Sequence, residues 1–210
     1  MPALTLDHLL VYGDLDLLLG GVTAVLGVRP DDGGIHVGGG TRNAIFAAVG
    51  ERAFELIGPD PAQGAPPHWA PPSPPGGGVL WSWAARTDAS IDETRSWLRA
   101  EGVETAAPEL GTRVRPGGDR LTWTLVDPIG HGFGVAMPFV IRWDEGTPPW
   151  RLVVDPSCEI RDFRVRHPEA AELGALFERL RLEVPVERAD APGLFAELAG
   201  PAGSMRFASG

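Results

Sequence analysis

The alternation of apolar and polar positions along this chain predicts one supersecondary pattern used three times. Residues 4–12 form a β-rich, imperfectly alternating run that predicts a buried strand. Gly13 and Asp14 break it, and Asp14 is placed to cap a helix over 15–26 that Gly27 ends. The plan recurs at 79–85, where Asp88 or Ser90 caps a helix through Glu101 and Gly102-Val103 closes the copy. A third copy opens at 160–165. Pro168 fits the first turn of a helix running to about Leu180, and 182–184 follows as a strand. Strand, capped helix, turn, strand is thus an internal repeat.

The segments after each helix also repeat. Residues 43–49 and 53–57 read as strands joined by Gly50-Glu51-Arg52, and 112–115 and 120–126 flank the hairpin turn at 116–119. Residues 133–143 predict a long strand that Pro138 makes bent or places at an edge. In the third copy 193–199 is helix-like, and 204–208 is a short strand after the turn at 200–203. The expected organisation is a βαβββ module over 1–58, a second over 79–143 and an abbreviated third unit over 158–210. Residues 59–78, rich in Pro and Gly, form a linker, or a lid with His68 and Trp69 at its tip; 144–157 is a second connection.

Composition narrows the function classes. The chain has 210 residues, 43% of them hydrophobic and 22% charged, enough for a real core in one large or two small domains. The formal net charge of −10 argues against nucleic acid as a partner. No apolar run is long enough to span a membrane, and no basic leader precedes one. Cys158 is the single cysteine, which excludes an intramolecular disulfide and cysteine-rich zinc sites. All 18 basic residues are Arg, and Asn43 and Gln63 are the sole amides of their types, as codon bias in a GC-rich bacterial genome would produce. Whatever the cause, no lysine is present for a Schiff base or a P-loop. These properties lead us to expect a cytoplasmic protein that handles small molecules.

The repeated plan, together with Leu6-Asp7-His8-Leu9-Leu10-Val11, resembles the vicinal oxygen chelate superfamily of glyoxalases, ring-cleaving dioxygenases and bleomycin-resistance proteins. The run from His36 through Gly38-Gly39-Gly40-Thr41-Arg42 to Asn43, then Phe54-Glu55-Leu56-Ile57, is similar to its glyoxalase-like domain branch, as is 137–143. The resemblance covers most of the chain, the third unit more weakly. It implies an α+β fold in which paired βαβββ modules curl a mixed sheet around a pocket, often with a divalent metal inside. A homodimer is compatible with it.

The resemblance places metal ligands on the first and last strands of each module, which selects His8 and Glu55; 80–83 and 136–139 in module two offer neither His nor carboxylate. His36 would complete two imidazoles and one carboxylate, a set suited to Fe, Mn, Ni or Zn. Without metal, His8 and Glu55 would form an acid/base pair. His8 alone is also consistent with a satisfied core histidine, and His36 with pocket hydrogen bonding or a turn. Thr41 and Asn43 are turn residues or substrate contacts. Trp81 and Trp83, two apart and so expected on one face, join Trp123 either as core or as an aromatic wall for a ligand. His131, between two glycines after Asp127-Pro128, reads as a turn residue. No Gly-x-Ser-x-Gly elbow is present. Three functions remain open. One is a lyase, isomerase or dioxygenase-type enzyme on a small organic molecule; the others are a sequestering binding protein and a scaffold with a self-filled pocket.

Overall fold

A computed structural model describes residues 2–64, 70, 77–144, 148 and 158–209. His68, Trp69 and most of the 144–157 connection lie outside the described residues, and with them the choice between lid and linker. The first module runs β1 (Thr5–Gly13), α1 (Leu15–Leu26), β2 (Asp31–His36), β3 (Thr41–Ala48) and β4 (Arg52–Pro59). The Asp14 carboxylate accepts from the backbone N–H groups of Asp16 and Leu17, and Gly27 ends α1 in the left-handed region at φ 73°. The second module runs β5 (Gly78–Arg86), α2 (Ile91–Ala100), β6 (Glu104–Thr105), β7 (Glu109–Val114), β8 (Arg120–Val126), β9 (Pro128–Ile129) and β10 (Phe139–Trp143). Ser90, not Asp88, caps α2 through a reciprocal box with Glu93. The third unit is β11 (Glu159–His167), α3 (Ala170–Arg179), β12 (Val186–Arg188), β13 (Gly193–Ala199) and β14 (Ser204–Ala208).

The first two modules close one barrel in the order β1-β4-β3-β2-β7-β8-β10-β5. In each, the first strand lies parallel to the last, β1 to β4 and β5 to β10. Antiparallel seams β1–β5 and β2–β7 join the halves. Strand β2 was not expected, since Asp-Asp-Gly-Gly is poor strand sequence; it forms because β3 and β7 pair with it from both sides. Residues 134–136 form a 3-10 turn and Pro138 precedes β10, so the last strand is shorter than expected, and it is internal, paired to both β5 and β8.

The third unit makes its own sheet, β12-β11-β13-β14. Its β11 pairs directly with β12, so the order of elements recurs with a different pairing. The helix expected over 193–199 is instead β13: Leu194, Ala196 and Leu198 are buried and alternate with more exposed neighbours, the period of a strand. The strand expected at 182–184 begins four residues later, beyond Pro185.

This sheet covers the outside of the barrel. Trp83 is fully buried against Phe163 and Phe177, with ring centroids 5.1 and 5.8 Å away, and Phe54 packs on Phe207 at 4.9 Å. These residues share one large apolar core with Leu9, Val11, α1 and α3. The inner face holds only small clusters: Ile45, Ala47 and Ala53 against Trp143, and Leu10, Tyr12 and Ile57 against Trp81 and Phe139. The interior also holds the buried polar residues Asp7, His8, Asn43, Glu55 and Arg113. Among the described residues, no helix is long and apolar enough to cross a membrane.

Candidate acid–base site

Two β-bulges decide which side chains enter the barrel. Along β1, Leu6 pairs with Ala85 but His8 already pairs with Ala84, so Asp7 is an extra residue. A bulge of this kind turns two consecutive side chains to one face, here Asp7 and His8 together. Strand β5 has the matching irregularity: Ser82 pairs with Leu10 and Leu80 with Val11, leaving Trp81 extra. This overturns the expectation that Trp81 and Trp83 share a side. Trp81 joins the inner cluster while Trp83 turns outward into the core beneath the third sheet, away from the site.

The registers also relate the two halves. His8 pairs with Ala84, and Ser82 pairs with Leu10. Glu55 lies beside Leu10 in β4, and Phe139 beside Ala84 in β10. Ser82 and Phe139 therefore hold the second-module positions that His8 and Glu55 hold in the first.

His8 is held at both nitrogens. Its Nδ1 lies 2.5 Å from Asp7 Oδ1, and its Nε2 lies 3.4 Å from Glu55 Oε2. Asp7 accepts a second bond from Trp143 Nε1 at 3.2 Å. The Asn43 amide donates to Glu55 Oε1 at 2.6 Å and sits 3.4 Å from His36 Nε2, which must therefore accept. His36 Nδ1 then carries the proton and donates to Thr41 Oγ1 at 2.8 Å. Gly33 makes room for this network, because a Cβ there would collide with Asn43 Oδ1. Edge-on and tilted ring contacts run His36–Trp123, Trp123–Trp143, Trp143–His8 and His8–Phe139, at 5.3–6.5 Å.

Burial sets the protonation states. It pushes the Asp7 carboxyl up, against the pull of His8, Trp143 and Arg86. Burial also pulls His8 down, but the Asp7 hydrogen bond, the Asp7 charge and Glu55 outweigh it, and the imidazole ends above its ordinary value. His36 is lowered by burial, helped by Arg113 and His8 and opposed by Glu55, in keeping with a neutral ring. Arg113, on β7 opposite His36, is 3% exposed; burial lowers it from its ordinary value, yet a guanidinium stays cationic in proteins.

The structure thus gathers His8, Glu55, His36, Thr41, Asn43 and Trp123, and leaves Trp83 out. Trp81 lines a cavity of about 280 Å³ with Ser82, Phe139, Asp127 and His131, on the second-module side of the barrel. A larger open groove of about 890 Å³ runs outside, along α2, and holds none of these site residues. His131 bonds the Pro128 carbonyl and the Phe133 N–H, a turn residue as expected. Sequence reasoning missed Asp7, Arg113 and Trp143. Asp7 neighbours His8, but simple alternation assigns it to the opposite face, and Arg113 gave no local signal.

The three-donor metal site expected at His8, Glu55 and His36 does not form. Among the described residues, no three His, Cys, Asp or Glu are arranged to hold an ion. His36 Nε2 faces an amide N–H, the Glu55 carboxylate already accepts from Asn43, and a buried guanidinium acts on that same carboxylate. With Ser82 and Phe139 opposite, the donor set does not fit a divalent ion.

Two βαβββ modules closed into one barrel around a polar centre define the vicinal oxygen chelate fold. The family model for the Glyoxalase-like domain matches residues 6–181, and the chain belongs to that family. The structure of a hypothetical protein from Staphylococcus aureus is similar over 99% of this chain and 86% of its own, with a TM-score of 0.65 at 18% identity. That coverage includes the third unit. Methylmalonyl-CoA epimerase from Mycobacterium tuberculosis is similar over 70% of this chain and 91% of its own (TM-score 0.43, 19% identity). A 4-hydroxymandelate synthase mutant from Streptomyces coelicolor is similar over 100% and 63% (TM-score 0.48, 14% identity). No match is found among curated proteins.

Proposed function

We propose that the protein is an enzyme that moves a proton on a small organic molecule within the barrel, using Glu55 as base and His8 as acid. The observation that carries this reading is His8 itself, anchored by Asp7 at Nδ1 and directed by Nε2 at Glu55 in a buried setting. An imidazole fixed by a carboxylate at one nitrogen keeps the other in one orientation, the arrangement general acid–base catalysis uses. In the forward step Glu55 takes a proton from carbon next to a carbonyl. The C–H electron pair forms the carbon–carbon double bond, and the carbonyl oxygen takes a proton from His8 Nε2. Asp7 holds the imidazole through both states. Asn43, which donates to Glu55 and to the neutral His36, keeps the Glu55 carboxylate in place. Trp81, Trp123 and Phe139 supply the apolar wall, and the chemistry needs no metal at this donor set.

The test is solvent deuterium exchange, followed by NMR, into a panel of small 2-oxo acids and aldehydes incubated with the protein in D₂O. The expected result is exchange at the carbon beside the carbonyl that falls by a factor of about 10²–10⁴ in His8→Gln and in Glu55→Gln. Exchange that survives both substitutions overturns the assignment. Binding of panel members with no exchange in the wild type would favour a sequestering protein instead.

A further inference from the structure

Arg113 is the buried charge that the acid–base network does not use. No described residue accepts a hydrogen bond from its guanidinium or pairs with it, and its Nε is fully buried without an acceptor. Taking a guanidinium out of water costs several kcal/mol unless an anion and good geometry compensate. The nearest candidates are engaged elsewhere: Glu55 accepts from Asn43 and faces His8, and Asp7 is bonded to His8 and Trp143. Arg113 still senses Glu55 through space, and Arg115 adds like charge rather than relief. Its strand neighbours offer it no anion. Leu121 lies across from it on β8, and two residues away the Trp123 indole rests against Gly111, where any Cβ would collide with the ring.

We propose that Arg113 is the anion-binding residue of the barrel and that the molecule taken up carries a carboxylate. The guanidinium fork matches a carboxylate with two parallel N–H···O bonds. A single carboxylate fits better than a phosphate, because among the described residues Arg113 is the one buried cation of the barrel interior without an ion-pair or hydrogen-bond partner, and the chain has no lysine to add a second. This proposal rests on the acid–base reading for the position of the reacting carbon, which must come within reach of the Glu55 carboxylate, with its carbonyl oxygen at His8 Nε2, once Arg113 holds the acid group.

Benzoate and benzamide separate the two ideas, since benzoate has no hydrogen on the carbon beside its carboxylate and cannot report proton transfer. Titration calorimetry on the full chain at low ionic strength should show benzoate binding at least tenfold more tightly than benzamide. Arg113→Met should remove that preference, and Arg113→Lys should retain part of it, with near-UV circular dichroism confirming a native fold in each. Should Arg113→Met fail to fold, the wild-type preference and its reduction in Arg113→Lys decide the matter. Equal binding of the two probes, no binding of either, or benzoate binding unchanged in the variants overturns the proposal. Absence of deuterium exchange in the wild-type protein, with the benzoate preference intact, would count against His8 and Glu55 and leave Arg113 assigned.

Discussion

Replacing Asp7 by Asn tests the centre of the site through a quantity that does not require the substrate. The Asp7 carboxylate is fully buried and accepts from two donors, His8 Nδ1 at 2.5 Å and Trp143 Nε1 at 3.2 Å. An Asn of the same shape offers one acceptor and one donor, so one of those N–H groups loses its partner. A hydrogen bond to a charged group contributes about 1.5–3 kcal/mol, and an orphaned buried donor costs about 1–3 kcal/mol. Trp143 is partly exposed, which puts its share at the low end. At pH 6, with His8 protonated, the combined loss is about 3 kcal/mol. The folded pKa of His8 is raised, so its stabilising contribution is complete below the unfolded imidazole value of about 6.5 and is lost as pH climbs through the folded value. Beyond that point only the mismatched donor remains, and the cost of Asp7→Asn shrinks to about 1 kcal/mol. Urea denaturation of both proteins at pH 6 and pH 9 measures the two differences, and NMR titration of the imidazole signals follows His8 directly. A loss equal at both pH values, or a His8 titration that Asp7→Asn does not move downward, refutes the pairing.

Three further perturbations probe the frame around it. Ser82→His combined with Phe139→Glu should add two donors at the positions related to His8 and Glu55; the zinc-supplemented double variant is expected to carry about one ion per chain by elemental analysis. A metal-free double variant would count against that relation between the halves. Trp83→Ala should cost about 3–5 kcal/mol in urea denaturation, because it removes the ring packed between Phe163 and Phe177. Trp81→Ala, on the inner face, should cost clearly less; equal losses would contradict the bulge. Gly111→Ala should displace the Trp123 ring, lowering stability by about 1–3 kcal/mol and altering the near-UV circular dichroism spectrum, while an unchanged spectrum would place the ring elsewhere.

The features legible in the sequence and those hidden in it divide along a physical line. Helix ends are written locally: Asp14 meets the N–H groups one turn in, Gly27 supplies the positive φ, and Ser90 and Glu93 sit three apart. These were legible, as were His8, Glu55 and Asn43 through their resemblance to a family pattern. A bulge, in contrast, exists only between two strands. Nothing in Leu6-Asp7-His8 states that Ala85 and Ala84 will face residues two apart, so simple alternation counts Asp7 outward and pairs Trp81 with Trp83. Strand β2 is the same kind of case, a sequence with little strand preference held by neighbours on both sides. Residues 193–199 are too short and apolar for periodicity to separate helix from strand.

The bulges fall at related positions of β1 and β5, so the backbone of the barrel keeps its two-fold relation where the side chains have lost it. One bulge presents Asp7 and His8, the other Trp81 and Ser82. Strands β4 and β10 repeat the contrast, with Glu55 against Phe139. A symmetric frame with its acid–base pair on one side, and the Arg113 guanidinium on β7 of the other, can receive a molecule productively in one orientation only. On the proposed reading, the reacting carbon must face Glu55 and His8, the carboxylate Arg113, and the apolar end Trp81 and Phe139. That geometry predicts that inverting the polarity of the halves, rather than enlarging either, is the change the barrel would tolerate least.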